Sequence, residues 1–208
     1  MIFTSDDYIT KYQDTLSYIL ERAVFEKYSL DYIEKTIAYS KPFLEFEKSN
    51  ITQIAFSSQE YIYHELFPLK DNDDFYADYY GPFGWAGFMY IKLFFDLRIT
   101  FETLFIIFPI EKMLASYHLY HEMEYSQLLR YVKSLIAFSY LNMIMKKKNI
   151  SSNDLSNNTG ISMSTINALR YEKRDINKVE ANKLLKMSSA LNVRMESLLT
   201  DIALEFDS

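Results

Sequence analysis

Apolar residues recur with a helical period along the first part of the chain. From Ser5 to Tyr28 their spacing stays close to 3.6 residues, the repeat of an α-helix with one buried face. Ser29 and Asp31 then predict a second helix toward Tyr39, because serine is a favoured N-cap and an acid suits the first helical turn. Pro42 is expected to end or redirect that helix.

Two further segments precede Pro68. Residues 51–56 fit either a short strand or a helical turn, whereas Ser58 predicts the start of a helix that ends before Pro68. Together with the helical spacing elsewhere in the chain, this predicts an all-α protein whose first part is an aromatic-rich helical domain.

The longest stretch without proline or glycine lies between Pro109 and Gly160. Within it, apolar residues from Ser126 to Lys148 again have helical spacing, which predicts one long helix. Such a helix would join the regions before and after it rigidly, without a flexible linker. A break within the stretch stays open as the alternative.

The next segment has the polar and apolar pattern of two short helices separated by a tight turn. Ser152 is the expected N-cap of the first helix, which carries Leu155, and Asp154 suits its first turn. Gly160 is expected to end this helix, because glycine adopts the left-handed conformation without steric cost. Ile161 follows as a buried residue of the turn.

The second of these helices begins after Ser162, its expected N-cap. Its apolar residues Ile166 and Leu169 are three positions apart and are expected to face inward. A helix, a glycine-containing turn and a second helix form the arrangement that inserts one helix into the major groove of DNA.

The stretch from Leu141 to Leu199 resembles the XRE family, the helix-turn-helix domains of phage repressors and Cro proteins. The matching segments are Leu155-Ser156, Gly160-Ile161-Ser162, Ser164-Thr165-Ile166, the closing turn from Ala190 to Val193, and the last helix from Met195 to Leu199. The resemblance implies a five-helix DNA-binding domain. Ser152 replaces the family's usual glutamine, and Arg170-Tyr171-Glu172 replaces its Glu-x-Gly.

The resemblance also implies which side chains meet DNA. The expected base contacts are Ser162, Met163, Ser164, Thr165, Asn167 and Ala168. The expected phosphate contacts are Ser152, Arg170, Lys173 and Arg174, joined by the run from Lys146 to Lys148 if it faces the DNA. Solvated positive charge at a helix end is the alternative interpretation of that run.

Charge and aromatic content change where the resemblance begins. Residues 1–140 hold 12 Lys/Arg and 20 Asp/Glu, a net charge of −8, whereas residues 141–200 hold 10 and 5, a net charge of +5. Of the 35 aromatic residues, 33 lie in the first 140. We therefore predict an acidic helical domain over residues 1–130 and a DNA-binding domain over residues 131–208.

Residues 68–87 have the composition of a loop, with two of the four prolines and three of the four glycines. The acidic run that begins at Asp71 does not fit a calcium loop, because Phe75 stands at the fifth ligand position. Long aromatic loops are often functional, so we predict a surface for an effector or a protein partner here. The alternative is that the rings pin the loop to the core. The aromatic residues concerned are Tyr79, Tyr80, Phe83 and Trp85.

Several other functions are not favoured by the sequence. Four charged residues interrupt the apolar stretch 85–108, so no membrane span is expected. His118, His121 and Glu122 share a helix face, but we expect a polar surface rather than a metal site there. The chain has no cysteine, no phosphate-binding loop and no nucleophile elbow. We expect no cofactor and no enzyme activity, although catalysis within residues 1–130 stays open.

These features predict a sequence-specific regulator that binds double-stranded DNA, specifically a bacterial or phage repressor acting as a homodimer. The polar, acidic first residues argue against a signal peptide, so a cytoplasmic location is expected. One alternative is an antitoxin-like component that binds a protein partner through its first domain and regulates its own gene. Another is an enzyme or toxin with a DNA-targeting tail.

Overall fold

The computed structural model describes residues 5–48, 54, 56–68, 75–79, 81–136 and 139–199. Within these ranges the protein has twelve α-helices, two 3-10 helices and no β-strand, which confirms the all-α prediction. The α-helices are α1 (Ser5–Phe25), α2 (Leu30–Tyr39), α3 (Lys41–Glu47), α4 (Gln59–Leu66), α5 (Pro82–Leu97), α6 (Phe101–Ile107), α7 (Ile110–Tyr120), α8 (Tyr125–Leu135), α9 (Tyr140–Lys147), α10 (Ser152–Thr159), α11 (Met163–Arg170) and α12 (Ala181–Leu191). The 3-10 helices span Ile176–Lys178 and Glu196–Leu198.

Serine caps set two of the predicted helix starts. Ser29 accepts a hydrogen bond from the backbone N–H of Tyr32, and Ser58 accepts one from that of Tyr61. Pro42 lies in the first turn of α3 and redirects the chain, as predicted. Of the ambiguous segment 51–56, residues 51–53 and 55 lie outside the described residues.

The prediction of one long helix from Ser126 to Lys148 is wrong. Helix α8 ends at Leu135, Ile136 is extended, and α9 begins at Tyr140. The physical reason lies in Ser139, whose side chain accepts a hydrogen bond from the N–H of Asn142 and so starts a new helix. The apolar period continues through both helices and does not reveal the break.

The predicted loop 68–87 is also partly wrong, because α5 begins at Pro82. Proline suits the first turn of a helix, where its missing N–H costs no hydrogen bond. Gly87 then allows close packing against α1: a Cβ atom there would lie 2.4 Å from the backbone nitrogen of Ser17. Glycine here therefore serves helix packing rather than a turn.

The expected absence of a membrane span concerned residues 85–108. Here α5 ends at Arg98, which adopts the left-handed conformation with φ 50°, and α6 follows as a separate helix. No helix in the described part of the chain is both long and apolar enough to cross a bilayer.

The first hydrophobic core joins helices α1 to α8 and is dense in aromatic rings. Phe94 stacks on Phe101 with ring centroids 4.8 Å apart, and on Phe46 at 5.0 Å. The hydroxyl of Tyr90 donates to the carbonyl oxygen of Phe108 at 2.8 Å, so this buried polar group has its partner.

A second core holds helices α9 to α12 together. It begins at Leu141 and ends at Leu198, and Ile106 of α6 packs against it from the first body. Helix α8 extends across the predicted boundary at residue 130 and contributes Leu128 and Val132 to the first core. The division at residue 130 therefore stays a prediction.

A buried ionic cluster, formed by Glu47, Glu102, Arg194 and Ser197, connects the two cores. Arg194 donates from Nη1 and Nη2 to the two carboxylate oxygens of Glu47, at 2.7 and 3.0 Å. Glu102 accepts from the backbone N–H of Arg194 at 2.9 Å and from Ser197 Oγ at 2.6 Å. The C-terminal helices are thus fixed on the first body by charged, largely buried groups.

Candidate DNA-binding interface

Helix α10 begins with a capping box. Ser151 Oγ accepts a hydrogen bond from the N–H of Asp154 at 3.1 Å, and Asp154 accepts one from the N–H of Ser151 at 3.0 Å. These bonds lower the pKa of Asp154. The N-cap is therefore Ser151, and the prediction of Ser152 is wrong by one residue, because the Ser152 side chain lies inside the domain.

The turn after α10 has the predicted geometry. Gly160 is left-handed at φ 70° and ψ 10°, and its N–H donates to the carbonyl oxygen of Ser156 at 2.8 Å. Ser156 Oγ donates to the carbonyl oxygen of Ile161 at 2.7 Å, while Ile161 itself is buried. These contacts fix the angle between α10 and α11.

Helix α11 presents one polar side away from the core. Ser162 caps it by accepting from the N–H of Thr165, and Ile166 and Leu169 are buried, as predicted. On the opposite side Met163 is 50% exposed. Of the predicted base contacts, Ser162, Met163 and Ser164 are exposed, and Thr165, Asn167 and Ala168 are half-buried.

A polar network ties α11 to the two preceding helices. Arg170 donates from Nη2 to Asn142 Oδ1 of α9 at 2.8 Å and from Nη1 to Ser152 Oγ of α10 at 2.5 Å. Ser152 in turn donates to Asn167 Oδ1 at 2.6 Å. Ser152 is only 8% exposed. Two of the predicted phosphate contacts, Ser152 and Arg170, thus make internal hydrogen bonds in this structure.

Ser139 adds a second tie to the end of α11. Besides capping α9, it donates from Oγ to the carbonyl oxygen of Arg170 at 2.8 Å. Sequence reasoning missed both Ser139 and Asn142. Ser139 could have been found as an N-cap candidate, whereas no local pattern marks Asn142.

The turn after α11 brings two cations to the surface. Glu172 adopts φ 54°, the left-handed conformation for which the resembling family uses glycine. Lys173 and Arg174 are exposed, and the N–H of Arg174 donates to the carbonyl oxygen of Ala168 at 3.1 Å. Both predicted phosphate contacts therefore lie on the surface beside α11.

The lysine run 146–148 is less uniform than its sequence. Lys146 and Lys147 are exposed, whereas Lys148 Nζ donates to the carbonyl oxygen of Asn192 at 3.0 Å. Lys147 and Lys148 also line a cleft of about 590 Å³ against the first body, with Glu34 of α2 among its other walls. This cleft accounts for part of the positive charge without DNA.

The C-terminal end closes differently from the prediction. Asn192 ends α12 in the left-handed conformation, φ 49°, which fits the predicted closing turn. The expected last helix, 195–199, is only the short 3-10 helix Glu196–Leu198. Its Ser197 is committed to Glu102 of the first body, which holds this segment against α6.

The predicted effector or partner residues lie far apart in the secondary structure. Tyr79 is in the loop, Phe83 and Trp85 are in α5, and Tyr80 lies outside the described residues. Tyr79 and Trp85 line one cavity. No group of three metal-ligating side chains occurs among the residues described.

Comparison with family models identifies the C-terminal third. Residues 140–203 match the Cro/C1-type HTH DNA-binding domain, and the match begins at the first residue of α9. The comparisons with curated proteins and with solved structures gave no match. The first 139 residues therefore rest on their own structure alone.

Proposed function

Because residues 140–203 form a Cro/C1-type HTH DNA-binding domain, we propose that this protein is a sequence-specific transcriptional repressor that binds operator DNA as a homodimer. The domain supports a DNA-binding transcription regulator in general. Repression follows if the bound dimer covers a promoter. We assign α11 to the major groove, as its place in the helix-turn-helix requires.

The outer side of α11 carries this proposal. Its first turn exposes Ser162, Met163 and Ser164, while Ile166 and Leu169 hold the opposite side in the core. A helix exposed in this way can enter a groove without rearrangement of the domain.

Individual base contacts follow from the chemistry of these side chains. We assign Asn167 to adenine, since a carboxamide matches its N6 and N7 atoms, and Met163 or Ala168 to a thymine methyl group. The hydroxyls of Ser162, Ser164 and Thr165 complete the proposed base-reading surface.

Phosphate binding is assigned first to Lys173 and Arg174, whose side chains are exposed beside α11. Arg170 and Ser152 reach phosphate only if they exchange their internal hydrogen bonds for DNA. In the free protein we propose that they position α11.

The proposed dimer is held by the first body. Large apolar side chains are exposed there, including Leu119 at 55% and Met123 at 40% near the end of α7. A two-fold arrangement would place both copies of α11 on one side, for half-sites roughly 34 Å apart. Light scattering on the full chain should give the mass of a dimer, and a monomer on DNA would contradict this part.

A second candidate is an antitoxin-like protein whose first body binds another protein. Exposed aromatic side chains on an acidic surface favour it: Tyr61 is 55% exposed and Tyr76 is 97% exposed. Co-expression with the product of the neighbouring gene separates the candidates. A stable complex with that product favours the antitoxin, and independent chains favour the repressor.

A gel-shift titration with the gene's own upstream DNA tests the main proposal, together with a reporter behind that promoter. We expect a discrete shift that resists unlabelled random DNA, and lower reporter output when the protein is present. Absence of a shift at low salt with any cognate promoter would refute it.

A further inference from the structure

A cavity of about 560 Å³ opens between α1, the loop 75–79, α5 and α7. It lies in the first body, outside the DNA-binding domain. Its walls include Asp14, Tyr79, Trp85, Phe88, Tyr117 and His121. The cavity therefore combines several aromatic rings with one carboxylate.

The close approach of α1 and α5 places these groups together. A Cβ atom at Gly84 would lie 2.5 Å from the backbone of Tyr79, and one at Gly87 would lie 2.4 Å from Ser17. Ser17 Oγ also donates to the carbonyl oxygen of Gly84 at 2.7 Å. The two glycines thus bring Asp14, one turn before Ser17, beside the rings of α5.

The aromatic walls are held in place before any ligand arrives. The rings of Trp85 and Tyr117 meet edge to face, with centroids 5.5 Å apart, and Tyr117 stacks on His121 at 4.4 Å. Tyr79 is fixed by its hydroxyl, which donates to Gln59 Oε1 at 2.9 Å. Preorganised rings reduce the ordering cost of binding.

The electrostatics of the walls favour positive charge. Aromatic faces attract cations through the ring quadrupole, and the attraction grows when the cation is shielded from water. Asp14 is half-buried; burial raises its pKa, and nearby Lys11 lowers it. At neutral pH its carboxylate adds a full negative charge to a body that already carries a net charge of −8 over residues 1–140.

His121 is the one basic side chain among the lining residues of this cavity. Its Nε2 lies 3.5 Å from Glu122 Oε1, so a neighbouring acid offsets its charge when it is protonated. Neutral or compensated, the ring adds another aromatic surface rather than a barrier to cations.

We propose that this cavity binds an organic cation with an apolar skeleton, such as a quaternary ammonium compound or a protonated lipophilic amine. The rings surround the cationic head and its methyl groups, and Asp14 supplies the counter-charge. This assignment goes beyond DNA binding and does not depend on it.

Trp85, the only tryptophan of the chain, reports binding directly. The probe is benzyltrimethylammonium, and its uncharged counterpart is the carbon isostere neopentylbenzene. The full-length protein should show a saturable change in Trp85 emission with the cation. The isostere should bind at least about tenfold more weakly, because it lacks the cation–π and carboxylate attraction.

Asp14→Asn should weaken cation binding about tenfold, since it removes the counter-charge and keeps the shape. Asp31→Asn, which removes an exposed carboxylate of α2 outside this cavity, is the matched control and should leave affinity unchanged. Circular dichroism and thermal melting verify that both variants fold.

The proposal is overturned by any of three results. These are no saturable change up to about 10 mM cation, equal affinity for the isostere, and full affinity in a folded Asp14→Asn variant. If Asp14→Asn does not fold, the comparison of cation and isostere on the unchanged protein decides alone.

Discussion

Arg194 and Glu47 form a two-pronged ion pair across 147 residues of sequence. Their side chains are 17% and 7% exposed, so the pair lies mostly away from water. The same guanidinium is 3.6 Å from Glu102 and lies over the ring of Tyr39 at 5.8 Å. This one cation therefore compensates two carboxylates and connects the DNA-binding domain to the acidic body.

Arg194→Ala should lower the free energy of unfolding by about 3–5 kcal/mol, because it leaves Glu47 and Glu102 buried without their cation. Urea denaturation measures the change. Lys183→Ala is the control: it breaks the ion pair with Glu180, whose side chain is 71% exposed, and should cost at most about 1 kcal/mol. Equal losses in the two variants would show that the buried cluster does not join the bodies energetically.

Lys173→Ala and Arg174→Ala should each reduce the salt dependence of DNA binding. Every lost phosphate contact lowers the slope of log affinity against log salt by about 0.9. Fluorescence anisotropy at several salt concentrations gives the slope, with Lys133→Ala on exposed α8 surface as the control. Slopes that match the unchanged protein would remove both residues from the phosphate-binding surface.

Asn167→Ala should relax preference at a single base pair, by about 1–3 kcal/mol if the contact is bidentate. Ser152→Ala should relax the same position less, because Ser152 only orients the carboxamide through its 2.6 Å bond. Titration of single-base operator variants measures both effects. Uniform weakening over all operator variants would mean that Asn167 supports the fold rather than reading a base.

Glu34 should make stability fall with rising pH. Burial raises its pKa to about 7, against the lowering effect of the Ile110 N–H, which donates to Glu34 Oε1 at 2.6 Å. The folded state thus holds this proton more tightly than the unfolded chain, so stability is greatest below about pH 4.5 and is lost as pH rises through about 7.

Glu34→Gln keeps an oxygen that can accept from Ile110 and removes the charge. Its melting temperature should exceed that of the unchanged protein at pH 8 and approach it at pH 5. Burial also raises the pKa of Glu21 to about 7, so the variant should keep part of the pH dependence. A variant that melts lower at pH 8 than the unchanged protein would contradict the assignment.

Local sequence signals predicted the parts of the interface that depend on neighbours in the chain. Gly160 was found because only a left-handed turn residue fits between two short helices, and Ser162 because an N-cap acts on the next turn. The inward face of α11 followed from Ile166 and Leu169 three positions apart. Each of these signals acts within five residues.

Long-range relationships were not predictable in the same way. Ser152 looked like a cap, but Arg170 and Asn167, more than ten positions away, draw its hydroxyl inward. The cluster of Glu47 and Arg194 has no local signature, because each residue alone has the pattern of surface charge. The glycines of residues 68–87 suggested a loop, yet Gly84 and Gly87 serve helix packing.

The most direct measurement is an operator selection from random DNA followed by titration of the selected sequence. Proteins of this type bind specific sites at roughly 10⁻⁸–10⁻¹¹ M and other DNA at roughly 10⁻⁴–10⁻⁶ M. Ser164→Asp puts a negative charge on the exposed first turn of α11, where the helix dipole favours it, so folding should persist while DNA phosphates repel it. Gln127→Glu adds the same charge to the first turn of α8 as the control. We expect tight binding by the unchanged protein and by Gln127→Glu, and loss of specific binding by Ser164→Asp. No enriched sequence, or tight binding that Ser164→Asp leaves intact, would contradict DNA reading by α11.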